Sequence, residues 1–187
     1  MGTGAFDHVV IAARSLEEGA EWLRDRLDLI PEPGGRHPLM GTHNMLLSLG
    51  PHEYLELIAI DPDAPAPRHP RWYGLDDFDD EPRIAGWVVR QNPLVAPLGT
   101  TIREASRGDL RWRIAIPDSG QTPQDGAEPL FIDWGDGAHP AFQLPDHGLR
   151  MIALSLPLQE APIPDPRLRL GHGFSVTLSI LDRKIAL

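Results

Sequence analysis

Phe6-Asp7-His8-Val9-Val10-Ile11 and Tyr54-Leu55-Glu56-Leu57-Ile58-Ala59-Ile60 are the two stretches whose reading decides the fold. Period-two alternation predicts two strands, with His8 on one face beside Phe6 and Val10, and Glu56 on one face beside Tyr54, Ile58 and Ile60. Both polar groups then point toward packed side chains. An ionised carboxylate removed from water is costly unless it is paired, hydrogen-bonded or bound to a metal, so something polar must meet Glu56. A buried imidazole is one candidate, and a metal ion would satisfy both groups.

After the first strand, Ser15-Leu16-Glu17-Glu18 reads as a capping box, and Leu16, Ala20, Leu23 and Leu27 recur on one helical face. Pro31, Pro33, Gly34 and Gly35 break that pattern. An extended piece between residues 30 and 38, a strand over 42–49, the turn Gly50-Pro51 and a strand over 54–60 follow, so the first sixty residues read β-α-β-β-β. Pro62, Pro65, Pro67, Pro70 and Pro82, with the acidic run Asp76-Asp77-Phe78-Asp79-Asp80-Glu81, make residues 61–83 a surface connection. Beyond it, 84–90, 110–116, 130–134, 149–156 and 174–181 read as strands, with a short helix or turn at 93–99. The order repeats, which predicts one domain over 1–187 holding a first βαβββ module (5–60) and a second, degenerate one (84–181) enlarged by loops at 117–129, 135–148 and 157–172.

Composition narrows the function. At 187 residues with 41% hydrophobic content the chain can bury a substantial core, and the absence of cysteine excludes a thiolate metal site, a cysteine nucleophile and a disulfide scaffold. A net charge of −10 argues against a nucleic-acid partner, because phosphate backbones are held by Lys and Arg. No stretch is apolar enough to span a bilayer, and Met1-Gly2-Thr3-Gly4-Ala5 lacks the charged and apolar regions of a signal peptide, so a soluble, cytoplasmic protein is expected.

Several quoted features resemble the vicinal oxygen chelate superfamily, in its glyoxalase-like branch. They are Phe6-Asp7-His8-Val9-Val10 with the helix start at Ser15, Gly35-Arg36-His37-Pro38, Gly41-Thr42-His43-Asn44, Tyr54-Leu55-Glu56-Leu57-Ile58, Phe131-Ile132-Asp133-Trp134 and His139-Pro140. The resemblance implies an α+β fold in which two paired βαβββ modules form an open, curved sheet around a cup. It also implies inward-facing metal ligands on the first and fourth strands of each module, which places His8 and Glu56 side by side. The second module departs from that pattern. Gly86 stands at its first-strand position, and Phe174-Ser175-Val176-Thr177-Leu178-Ser179, read as its last strand, offers hydroxyls where a carboxylate is expected.

By that resemblance the cup takes a small oxygenated organic molecule, with His8 and Glu56 as catalytic residues or metal ligands. A divalent metal (zinc, iron, manganese or nickel) would support isomerase, lyase or dioxygenase chemistry, and a tight site would need a third protein ligand from His43 or His139. The alternative is a metal-free protein that binds and sequesters its ligand. Candidate ligand contacts are His43, Asn44, Trp87, Phe131, Trp134 and His139, with at most one of His43 and Asn44 facing the cup. His37-Pro38 and His69-Pro70 read as turn dipeptides. Asp133-Trp134-Gly135-Asp136-Gly137 lacks the rest of a calcium loop. Exposed sheet edges make a homodimer an expectation.

Overall fold

The computed structural model describes residues 4–187, so the reading of the extreme N-terminus at Met1-Gly2-Thr3 lies outside the described residues. The chain runs β1 (Gly4–Ala12), α1 (Leu16–Leu27), β2 (Glu32–His37), β3 (Thr42–Gly50) and β4 (Glu53–Ile60), then β5 (Arg83–Gln91), β6 (Thr100–Arg107), β7 (Leu110–Pro117) and β8 (Leu130–Asp133). These eight strands make one sheet in the order β2-β3-β4-β1-β5-β8-β7-β6. In each half the first strand pairs parallel with the fourth, β1 with β4 and β5 with β8, and β1 meets β5 antiparallel across the middle. The sheet curls into a half-barrel whose end strands β2 and β6 approach each other. This is the expected cup.

The N-terminal helix begins where its chemistry directs. Ser15 Oγ accepts from the Glu18 N–H at 3.2 Å. The Glu18 carboxylate turns back over the cap, accepting from the Arg14 backbone N–H at 3.2 Å and from the Arg14 guanidinium, with the Ser15 backbone N–H also among the groups that lower its pKa. Leu23 and Leu27 are buried, and Gly19 lies so close to β4 that an added Cβ would fall 2.2 Å from Leu57 Cδ1.

The second half differs from the expected one. Its curved-sheet strands end at Asp133, and the segments read as its last two strands leave that sheet. β9 (Arg150–Leu156) and β11 (Ser175–Ile180) join β10 (Leu168–Leu170) and β12 (Arg183–Ala186) in a separate four-stranded sheet, ordered β10-β9-β11-β12. The true fourth strand is β8, so the hydroxyls of the 174–181 segment occupy no ligand position. β6 was not legible as a strand because Thr100-Thr101-Ile102-Arg103-Glu104 carries little apolar alternation. No helix forms between β5 and β6. The apolar cluster that packs α1 against Val9, Ile11, Leu55 and Leu57 continues through Trp87 and Val89 to Leu154, Val176 and Leu178. The small sheet thus supplies the cover that a second helix would have given.

A second apolar cluster fills the concave side: Val10, Ile58, Val88, Trp112, Ile114, Leu130, Ile132 and Trp134, capped by Trp72, Tyr73 and Leu75 from the connection. The connection is therefore not only a surface crossing. Tyr73 (φ 58°) and Gly74 (φ 65°) are both left-handed, and the resulting tight turn carries two aromatic side chains into the cup.

Candidate functional site

β1 and β4 place His8 and Glu56 in the cup, and a bulge sets the details. Phe6 pairs with Val89 and His8 with Val88, so Asp7 is one residue more than the partner strand supplies. The expectation that Phe6 shares a face with His8 fails for this reason: Phe6 packs in the α1-side cluster, whereas Val10 lies in the concave one. Asp7 becomes wholly buried. It is hydrogen-bonded to His8 Nδ1 at 2.6 Å, His139 Nε2 at 3.1 Å and Trp134 Nε1 at 3.1 Å, with Arg90 Nε at 3.5 Å.

The opposite ring nitrogen, His8 Nε2, is 3.5 Å from Glu56 Oε2, an ion-pair separation longer than a good hydrogen bond. Glu56 Oε1 accepts from Asn44 Nδ2 at 2.6 Å and lies 3.9 Å from His37 Nε2. The His8 ring stacks on Tyr54 with centroids 4.3 Å apart. Each member of the pair is thus fixed from behind, His8 by Asp7 and Glu56 by Asn44. Between and around them lies a cavity of about 20 Å³, bordered by His37, Tyr73, Arg107, Trp112 and Trp134 among others. That is room for about one water molecule.

Burial penalises the charge on Asp7 and on Glu56, but their hydrogen bonds and imidazole neighbours outweigh it. Asp7 is held well below the usual carboxylate range, and Glu56 is lowered to about 2. Burial likewise opposes charge on His8, and the bonds to Asp7 and Glu56 overcome it, so its pKa is raised. His37 goes the other way: burial lowers it to about 4, so its ring is neutral at pH 7. The centre of the site is therefore an imidazole between two carboxylates that favour its charged form.

Of the other residues singled out in the sequence, Asn44, Trp134 and His139 join this network. His43 does not: it is half-buried on the alternate face of β3, and Asn44 takes the inward position. Trp87 and Phe131 belong to the α1-side cluster rather than the cup, with Trp87 Nε1 donating to the Ala127 carbonyl at 2.9 Å. Asp7 and Arg107 went unread, and His37, read as half of a turn dipeptide, is instead the buried last residue of β2 at the cup. Asp7 needs a bulge that no sequence pattern announces, His37 ends a strand whose alternation Pro33, Gly34 and Gly35 interrupt, and Arg107 ends the strand that was not recognised.

The ligand positions of the second half are closed. Parallel register places Val10 opposite Glu56 and Val88 opposite Leu130, so Gly86 and Leu130 stand where His8 and Glu56 stand in the first half. A Cβ on Gly86 would lie 3.3 Å from the Tyr73 ring, so Tyr73 fills the space a ligating side chain would use. Among the described residues no three His, Asp or Glu side chains converge to hold a metal ion. The donor set does not fit the four-ligand pattern of the superfamily. A larger cavity of about 890 Å³ lies between Leu98, Phe131 and the 157–162 loop, away from His8 and Glu56 and with no histidine in its lining.

A family model described as a glyoxalase-like domain matches residues 6–162. The chain belongs to the glyoxalase-like family. With it the chain falls in the vicinal oxygen chelate superfamily. No curated protein matches it. Solved structures similar to this glyoxalase-like chain include methylmalonyl-CoA epimerase from Mycobacterium tuberculosis, 20% identical over 68% of this chain and 85% of that one, TM-score 0.42. A Streptomyces coelicolor methylmalonyl-CoA epimerase in complex with 2-nitronate-propionyl-CoA is 15% identical over 75% of this chain and 100% of that one, TM-score 0.44. A hypothetical protein from Staphylococcus aureus is 12% identical over 98% of this chain and 84% of that one, TM-score 0.49. Among the described residues of this glyoxalase-like chain, no helix is long and apolar enough to cross a membrane.

Proposed function

We propose that the cup binds a small oxygenated organic molecule between His8 and Glu56, and that the pair acts on it by proton transfer without a resident metal. The observation that carries this reading is the 3.5 Å separation of His8 Nε2 and Glu56 Oε2 beside a cavity, each group being held from behind at 2.6 Å. A ligand oxygen entering there meets an imidazole N–H donor, whose charged form is favoured, on one side and a carboxylate acceptor on the other. A carbonyl oxygen would accept from His8, and an adjacent hydroxyl would donate to Glu56. His8 then serves as general acid toward the carbonyl oxygen while Glu56 takes the proton from the carbinol carbon; the C–H electron pair becomes the C=C of an enediol and the carbonyl π pair takes the His8 proton. The low pKa of Glu56 makes it the weaker partner in proton abstraction, so His8 governs the chemistry. Asp7 is a positioning residue, fixing the His8 tautomer and favouring its charged form.

Titration of the purified protein with hydroxyacetone, followed by tryptophan fluorescence and by metal analysis of the same sample, tests the reading. Trp72, Trp112 and Trp134 lie around the cup and report its occupancy. The expected result is saturable quenching, weakened at least tenfold by His8→Gln and by Glu56→Gln, in a sample with far less than one transition metal ion per chain. Binding unchanged in both variants would place the ligand elsewhere. A stoichiometric metal abolished by the two substitutions would show that the pair holds a metal, and the metal-free reading would fall.

A further inference from the structure

Arg107 is the one charged group bordering the cup that the His8–Glu56 network does not use. It ends β6, is 7% exposed, and has no ion pair or side-chain hydrogen bond among the described residues. Both buried carboxylates nearby are already engaged, Asp7 by His8, His139 and Trp134, and Glu56 by His8 and Asn44. The Arg107 nitrogens are not among the fully buried unpartnered atoms, so the guanidinium still meets water at the cavity and is free to take an anion there. Its course is also built in: an added Cβ at Gly35 would fall 2.7 Å from Arg107 Cγ, so the bare glycine of β2 leaves room for the arginine stem where the two sheet edges meet. A second donor at the same cavity is idle. Trp72 Nε1 is buried and has no hydrogen-bond partner.

Two unpartnered N–H groups and one uncompensated positive charge around a cavity that already holds a carbonyl-binding pair call for an anion with planar oxygens. Resting on the reading of His8 and Glu56 given above, we propose that the ligand is a small 2-hydroxy or 2-oxo carboxylate whose carboxylate is bound by Arg107. The guanidinium fork matches a carboxylate in two parallel hydrogen bonds, and the indole N–H adds a third. The 2-oxygen then falls to His8 and Glu56. The cavity of about 20 Å³ is too small for such a molecule, so Trp72 and Tyr73 must shift as it enters.

The test compares lactate with lactamide, which differ only in the charge and shape of one end, by tryptophan fluorescence on the wild type, Arg107→Gln and Arg107→Lys. Thermal melts confirm that each variant is folded. The proposal expects wild type to bind lactate at least tenfold more tightly than lactamide. Arg107→Gln should erase that preference by weakening lactate binding at least tenfold, and Arg107→Lys should keep part of it. Equal affinity for acid and amide in the wild type, or an acid preference that survives Arg107→Gln, would overturn the carboxylate assignment and leave the His8–Glu56 reading standing. Binding of neither compound would overturn both.

Discussion

Asp7 is one residue more than β5 can pair, and that single insertion turns Phe6 out of the cup and puts a buried carboxylate behind His8. Replacing it by Asn removes a charge shared by His8, His139 and Arg90 and leaves the charged form of His8 with less compensation. Asp7→Asn should cost about 3 kcal/mol in a urea titration, the usual scale for breaking a buried ion pair, and should lower the His8 pKa as followed by NMR of the ring protons. His37 gives a separate prediction. Its folded pKa of about 4 is below the 6.5 of the unfolded chain, so between those values the unfolded chain binds the extra proton. Stability attributable to His37 is therefore full above pH 6.5 and is lost as pH falls toward 4, by on the order of 3 kcal/mol from the shift of about 2.5 units. His8, raised above 6.5, contributes with opposite sign: its share is full below 6.5 and is lost as pH rises through its folded value. Urea titrations across pH 4 to 7 should show a steep acid limb that His37→Gln flattens. An unchanged limb would mean that His37 is not buried as a neutral ring.

Elements differ in how openly the sequence states them. The Ser15 cap and the Leu23/Leu27 face were legible because capping chemistry and helical period are local. Ser15→Ala should cost about 1 kcal/mol in the same denaturant measurement and leave ligand binding unaltered. Gly19→Ala should cost more, since the new methyl would meet Leu57 Cδ1 at 2.2 Å and α1 must lift from β4. The connection shows the opposite case. Its prolines and acids announced a surface segment, and nothing local announced that Trp72 and Tyr73 enter the cup, because their placement depends on Gly86 leaving space on a strand distant in sequence. Edge strand β6 escaped notice for a related reason: its polar residues follow no alternation, yet it carries Arg107.

At the scale of the molecule, the two half-sheets were legible from the repeated strand order, and their pairing around a cup came from the family resemblance carried by the His8 and Glu56 strands. The C-terminal sheet was not legible. The 149–156 and 174–181 segments have the same alternation as strands of a second module, and only long-range pairing decides which sheet receives them. That sheet covers the apolar side of β5 where the first half uses α1, so the fold keeps its symmetry on the concave face and abandons it on the convex one. The chemistry is equally one-sided, with the charged pair in the first half and Gly86 and Leu130 opposite. The most direct test of this arrangement is a crystal structure of the protein with hydroxyacetone. The account predicts ligand oxygens within hydrogen-bonding distance of His8 Nε2 and of a Glu56 oxygen, with the Tyr73 ring displaced from the cup. A ligand seated instead in the cavity between Leu98, Phe131 and the 157–162 loop, with Tyr73 unmoved and the His8–Glu56 gap unchanged, would contradict it.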